Sequence, residues 1–192
     1  ARLYAEKSNT SGRVIVAEGQ TNGRGRRGKT WVSPYGCNLY LSLVWGFDGG
    51  VKEIEGLSLA VATAVLGGLK LCGAENIKLK WPNDLLLNGK KLSGILIEAL
   101  NEFSVVGIGI NLSNSPSAII DKAISFADVD RLVDRSDMLS SLIHSFDHWV
   151  SSWRTNGFAV IRDRWLAVAH GIGDPIVARF PNGTEEQGKF QG

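Results

Sequence analysis

Nine residues from Gly23 to Trp31, GRGRRGKTW, hold three glycines, three arginines, a lysine and a tryptophan. A glycine-rich loop exposes backbone N–H groups and lets a ligand come close to the chain. Arg24, Arg26, Arg27 and Lys29 add charge-assisted donors that suit phosphate or carboxylate. On charge alone, a solvated basic loop or a nucleic-acid patch explains the stretch as well. The Gly-x-x-x-x-Gly-Lys-Ser/Thr spacing of a Walker loop is absent. Gly23-x-Gly25-x-x-Gly28 has the letters of a dinucleotide fingerprint, but no helical pattern follows Gly28, and Trp31 and Pro34 oppose one.

Three more stretches carry reactive or glycine-rich positions at strand ends. In KWPND, Lys80 to Asp84, Asn83 offers an amide that can read a purine edge and Asp84 can take a metal or a proton. An ordinary strand-ending turn uses the same residues. In KKLSGILIE, Lys90 to Glu98, a lysine ahead of Gly94 can set an ammonium beside a small acid; an exposed hairpin lysine is the commoner case. In GIGIN, Gly107 to Asn111, glycines inside a strand mark close approach of a ligand or another backbone, or else a bulge or barrel bend. Each stretch alone is weak. Their succession along one sheet is the stronger signal.

The elements that must position them read as follows. Val14–Glu18 is an apolar run expected as a buried strand. Asn38–Trp45 alternates, with Leu39, Leu41 and Leu43 on one face and Tyr40, Ser42 and Val44 on the other. Ile54 to about Leu71 repeats at helical spacing and Gly73 stops it. Ile77–Trp81 is a strand closed by Pro82. Leu85–Leu87 and Leu92–Leu100 flank Asn88-Gly89, a strong hairpin signal. Phe103–Leu112 is a strand and Asn114–Ser117 a loop. Asp137–Arg154 is an amphipathic helix capped by Ser136 or Asp137, and Phe158–Ala169 is another after the break at Gly157. Pro175–Phe180 and Thr184–Phe190 form a hairpin that opens a small β module near Gly171. This order predicts an α+β fold, with a mixed or antiparallel central sheet packed with helices.

With 192 residues the chain can bury a real core, with the start of a second domain. A net charge of +2 argues against a general polyanion binder, so the basic loop acts locally. Cys37 and Cys72 make neither a disulfide framework nor a metal-ligand spacing, and fit a reducing cytoplasm. No signal peptide is seen. The apolar stretch near Leu57–Leu71 is too short and too interrupted to span a bilayer. Both ends read as cut: the chain opens on Ala1 as if in the last turn of a helix and stops at Gly192 just after the hairpin. His144, His148 and His170 read as structural.

Taken in order, GRGRRGKTW, SPYGCNLYLS, KWPNDLLL, KKLSGILIE and GIGINL resemble the biotin protein ligases, closely over Val14 to Leu112 and more loosely beyond. The resemblance implies a class II aminoacyl-tRNA synthetase-like or biotin ligase-like catalytic domain over residues 1–170. Residues 171–192 would begin a small SH3-like β-barrel domain. It implies a ligase that activates biotin with ATP as biotinyl-5′-AMP and passes it to a lysine of a biotin carboxyl carrier protein. Mg²⁺ is the accompanying ion, and no membrane or DNA-binding domain is expected in this chain, while a homodimer is admitted. Lys91, Arg26 and Asp84 would be catalytic, with Asp84 on the metal side. Gln20, Gly23, Arg24, Arg26, Arg27, Lys29, Trp31, Lys91, Gly94, Leu96, Gly107 and Gly109 would hold biotin or its adenylate. Asn83 and Asn111 would face the nucleotide.

The same resemblance expects the basic loop to be disordered without ligand and to order over the adenylate. The family's Asp-Ser-Thr-Asn-type motif should precede Ala1, no winged helix-turn-helix is present, and Thr30 stands where arginine or lysine is frequent. The rival expectations are a lipoate–protein ligase, a non-catalytic phosphate- or nucleic-acid-binding module, and a fragment that binds biotin without transferring it.

Overall fold

The computed structural model describes residues 1, 11–46, 56–100, 103–113, 122–180 and 182–191. Six strands form one sheet: β1 (Val14–Ala17), β2 (Leu39–Gly46), β3 (Ile77–Lys80), β4 (Asp84–Leu87), β5 (Lys90–Leu100) and β6 (Phe103–Ile110). Their order is β1-β2-β6-β5-β4-β3. Every pairing between them is antiparallel, which settles the mixed-or-antiparallel alternative. Among the described residues three α-helices follow from the 3.6-residue pattern: α1 (Leu57–Leu71), α2 (Arg135–Asn156) and α3 (Phe158–Leu166). A separate two-stranded sheet pairs β7 (Pro175–Arg179) with β8 (Glu185–Lys189).

Alternation divides the large sheet into two faces. Leu39, Leu41 and Leu43 of β2, Ile95 of β5 and Val106, Ile108 and Ile110 of β6 join α1 and α2 in one buried core. α1 is buried nearly all round and lies close to α2, because Gly68 leaves no side chain there. A Cβ at Gly68 would fall 2.8 Å from Leu142 Cδ2. The other face carries Tyr40, Ser42, Gly94, Leu96, Gly107 and Gly109, where the three glycines leave room above the sheet. Asn88 and Gly89 join β4 to β5 with φ of 50° and 78°, the doubly left-handed pair that a tight hairpin needs.

Several boundaries differ from the sequence expectation for physical reasons. β1 is an edge strand, so Val14 and Val16 stay 38% and 45% exposed rather than buried. α2 starts at Arg135, because the extended Asp134 takes the Ser136 N–H at 2.7 Å and caps the helix ahead of Ser136 and Asp137. α3 stops at Leu166. Beyond it the chain turns to cover the outer edge of β3, with Leu79 N–H donating to the Val168 carbonyl at 3.0 Å and His170 N–H to the Leu79 carbonyl at 2.8 Å. β6 ends at Ile110, where the Leu112 amide turns to Asn38 Oδ1; the Asn111 amide still donates to the Leu92 carbonyl of β5. The expected loop at 114–117 and the helix start at 54 lie outside the described residues.

Candidate active site

Strand pairing lines up the chemistry in rows across the open face. Asp84 pairs with Gly94, Gly94 with Gly109, and Gly109 with Tyr40. In the next row Leu96 pairs with Gly107 and Gly107 with Ser42. The glycine–arginine loop runs over these rows, and a cleft of about 1480 Å³ opens between loop, sheet and the β7–β8 hairpin. That exceeds a typical small-ligand pocket of roughly 300–1000 Å³.

The loop is built as a pinched arch. Trp31 N–H donates to the Gly23 carbonyl at 2.9 Å, Arg24 and Thr30 form a β-bridge, and Gly25 N–H donates to the Lys29 carbonyl at 2.6 Å. Gly23 is buried, and a Cβ there would overlap the Trp31 carbonyl and crowd Ser33 Oγ and Gln20 Oε1. At the tip Arg26–Gly28 make one 3-10 turn with Arg27 left-handed at φ 55°. No longer helix follows Gly28, as the sequence implied.

Trp31 closes the arch from inside. A Cβ at Gly109 would fall 2.5 Å from Trp31 Cε2, and one at Gly94 3.0 Å from Cζ3, so these two glycines form the seat of the indole. Over Gly107 the space is open: a Cβ there would meet only Leu96, at 3.6 and 3.8 Å. The three glycines expected as pocket walls thus divide into a seat for Trp31 and an open floor.

The charged groups gather at one end. Lys91 Nζ lies 2.7 Å from Asp84 Oδ1 and 5.3 Å from the Trp31 ring centroid. Asn83 Nδ2 donates to the Ile95 carbonyl at 2.7 Å, which turns its Oδ1 to the loop, where it accepts from Arg26 Nη1 at 3.2 Å. Arg27 and Lys29 are exposed on the cleft lining. Arg24 points the other way, to Glu98.

Most expected site residues share this cleft: Gln20, Arg24, Arg26, Arg27, Lys29, Trp31, Asn83, Asp84, Lys91, Gly94, Leu96, Gly107 and Gly109. Gly23 supports the arch from behind. Asn111 is 3% exposed and spends its amide on backbone, donating to the Ile124 carbonyl at 3.1 Å, and it is not among the residues lining the cleft. The sequence assigns no site role to Tyr40, Ser42 and Glu98 and reads His170 as structural, yet all four line the cleft. The strand alternation had already placed Tyr40 and Ser42 opposite the core leucines. Tyr40 is buried and its hydroxyl donates to the Pro34 carbonyl at 2.9 Å; burial pushes its phenol up to about 12.

Known proteins resemble this chain in both sequence and fold. Residues 3–114 match the model of the biotin/lipoate A/B protein ligase family. The chain is 39% identical over 192 residues to the biotin–[acetyl-CoA-carboxylase] ligase of Paracoccus denitrificans, covering 93% of this chain and 79% of that one. It is 34% identical over 174 residues to the bifunctional ligase/repressor of Escherichia coli (strain K12), of which it spans 54%. The solved biotin protein ligase from Aquifex aeolicus in complex with biotin and ATP superposes with a TM-score of 0.86 at 27% identity, over 98% of this chain and 81% of that one. The chain belongs to the biotin/lipoate A/B protein ligase family. Within that family it stands with the biotin protein ligases.

Proposed function

We propose that this chain joins biotin to AMP and then transfers the biotinyl group to a lysine of a biotin carboxyl carrier protein. The observation that carries the reading is the division of one cleft. An open floor over Gly107 suits an apolar bicyclic acid, and it leads to a charged end with Lys91, Arg26 and Asp84. The names and ligands of the relatives above supply biotin and ATP as the substrates.

In the first half-reaction a carboxylate oxygen of biotin attacks the α-phosphorus of ATP. The bond from that phosphorus to the bridging oxygen breaks, and pyrophosphate leaves with the electron pair. Two anions must meet, so cations and N–H donors must offset the repulsion. Lys91 lies between Asp84 and Trp31 and orients the carboxylate; Arg26, Arg27 and Lys29 face the phosphates from the loop, and Asn83 faces the nucleotide. Mg²⁺ commonly binds through one or two carboxylates plus substrate phosphates. Asp84 fits that demand, and no group of three or more His, Cys, Asp or Glu among the described residues forms a metal cage. Bound there, the ion would neutralise phosphate charge.

In the second half-reaction the carrier's lysine nitrogen attacks the acyl carbon, the bond to the AMP oxygen breaks, and AMP leaves. The amine loses a proton, for which Asp84 is the nearest carboxylate to Lys91. The arch keeps water from the labile mixed anhydride until the amine arrives. We read the arch as opening without ligand and ordering over the adenylate, with the exposed Arg26–Asn83 hydrogen bond as the tie its tip must release.

We also read residues 1–170 as the catalytic domain, of class II aminoacyl-tRNA synthetase-like arrangement, and residues 171–192 as the start of an SH3-like barrel. The separate β7–β8 sheet supports this boundary. No helix among the described residues is long and apolar enough to cross a membrane. The two free cysteines favour a cytoplasmic setting.

Thermal unfolding with biotin, with lipoate, and with each plus MgATP tests the assignment. A ligand that binds only the folded state adds about 2.7 kcal/mol at a hundredfold excess over Kd. The reading expects a shift with biotin that grows with MgATP and none with lipoate. A shift with lipoate alone would transfer the assignment to the sister activity.

A further inference from the structure

Arg24 and Glu98 are 74 positions apart and meet across the cleft, with Arg24 Nη2 3.2 Å from Glu98 Oε2. Arg24 sits at the neck of the arch. Its own bridge to Thr30 and the adjacent Trp31-to-Gly23 hydrogen bond bring the two arms together there. Glu98 belongs to the cleft-facing series of β5, after Gly94 and Leu96. It lies four positions along the strand from Gly94, roughly 13 Å at the usual rise. The phosphate-facing groups gather at the level of Gly94 and Ile95: Asp84 pairs with Gly94, Lys91 Nζ would lie 3.1 Å from a Cβ on Gly94, and Asn83, which holds Arg26, bonds to Ile95. Arg24 is therefore drawn beyond that level, towards the Glu98 end of the cleft and away from the Lys91–Asp84 pair.

The arch has two separate levels of attachment. Its tip is tied by Arg26 to Asn83, and its neck by Arg24 to Glu98 and by the Trp31 seat. The neck is held on both sides of the row Leu96–Gly107–Ser42, by Trp31 on the Gly94–Gly109 row and by Arg24 at Glu98, and over Gly107 the floor is open. Whatever fixes the neck fixes the height of the roof over that floor.

We propose that Glu98 is a positioning residue: through Arg24 it anchors the neck of the loop, sets the roof over the Gly107 floor, and slows ligand escape without touching the ligand. The ligand part of this rests on the reading of the site as a biotin ligase; the anchoring part does not.

Two measurements on Glu98→Gln separate those parts. The first is trypsin cleavage of the unliganded chain within Arg24–Lys29, which follows the open population when opening is fast relative to cleavage. An exposed pair contributes up to about 1 kcal/mol, a factor of about five. Cleavage should therefore be about three- to fivefold faster than in the parent. The double variant Arg24→Glu with Glu98→Arg should return it towards the parental rate at the remaining sites. Salt of about 1 M should shrink the difference between parent and Glu98→Gln. The second is the off-rate of biotin, expected to rise by a similar factor while pyrophosphate exchange at saturating substrates stays within twofold. Equal cleavage of parent and Glu98→Gln would overturn the anchor, as would a double variant no better than Glu98→Arg alone. Faster cleavage with an unchanged off-rate would retain the anchor and refute its control of ligand escape. Faster cleavage with no biotin binding in either protein would refute the ligase reading and leave the anchor standing.

Discussion

The Lys91 ammonium and the Asp84 carboxylate stand 2.7 Å apart, and β4–β5 pairing holds both at the charged end of the cleft. A substrate carboxylate reaching Lys91 meets a cation already paired, so the two acids must share it. Both side chains are about 30% exposed, which screens the pair and keeps its own contribution to stability small. Its importance lies in what it does to the incoming anion.

Lys91→Ala removes the cation at the point where two anions meet. Loss of one such preorganised donor costs about 10²- to 10³-fold in rate. We expect biotin-dependent pyrophosphate exchange to fall by that factor, with the unfolding temperature within a few degrees of the parent. Parental exchange in this variant would remove Lys91 from the mechanism.

Gly107 and Gly109 should respond differently to added volume. A methyl at Gly109 meets the indole at 2.5 Å, so Gly109→Ala must displace Trp31. Overpacking of this kind costs about 1–3 kcal/mol, and the adenylate should escape at least fivefold faster. Gly107→Ala clears every neighbour except Leu96, at ordinary contact distance. It should therefore leave the loop's protease sensitivity unchanged, whereas Gly107→Val fills the open floor and should weaken biotin binding. Calorimetric titration with biotin beside trypsin digestion measures both effects. Identical profiles for the two alanine variants would contradict the division of roles.

Arg26→Gly cuts the tie from loop tip to Asn83 and removes a phosphate-facing cation. The expected outcome is earlier release of the adenylate and biotinylation of bystander lysines, read by mass spectrometry of a protein mixture. Retention of the adenylate at the parental rate would show that the tip does not confine it.

Tyr40 gives a pH signature. Its folded phenol titrates at about 12 against 10.0 when unperturbed, chiefly because burial disfavours the phenolate. The unfolded chain releases this proton first. The stabilisation is fully present below pH 10 and is lost as pH rises through the folded value, roughly 2–3 kcal/mol in all. Tyr40→Phe also removes the hydrogen bond to the Pro34 carbonyl, about 1 kcal/mol at neutral pH. Denaturant melts from pH 8 to 12 should show a lower but flatter curve for Tyr40→Phe. Parallel curves would mean that Tyr40 ionises as freely in the fold as outside it.

How much of this was readable beforehand depended on the range of the interaction. Asn88-Gly89 and the leucine alternation of β2 are local signals, and both the hairpin and the two faces of β2 follow from them. The glycine and lysine clusters read as one site only as a set, because strand pairing, which is non-local, brings them into rows. The same reason hid Glu98: nothing within its own strand announces a partner 74 residues away. It also hid the division between Gly107 and Gly109, which depends on where the Trp31 ring comes to rest. Asp134 was passed over as the α2 cap because Ser136 and Asp137 are equally good capping types, and only the extended backbone at Asp134 decides between them.

The central claim is that the cleft makes an acyl adenylate from biotin, with Lys91 at the point of reaction. Mass spectrometry of the protein incubated with biotin and MgATP, with native and Lys91→Ala chains side by side, tests it most directly. The expected result is biotinyl-5′-AMP bound to the native chain with pyrophosphate released in step, both products formed about 10²- to 10³-fold more slowly with Lys91→Ala, and no adenylate with lipoate in place of biotin. Adenylate formed equally by both chains, or formed from lipoate and not from biotin, would contradict it.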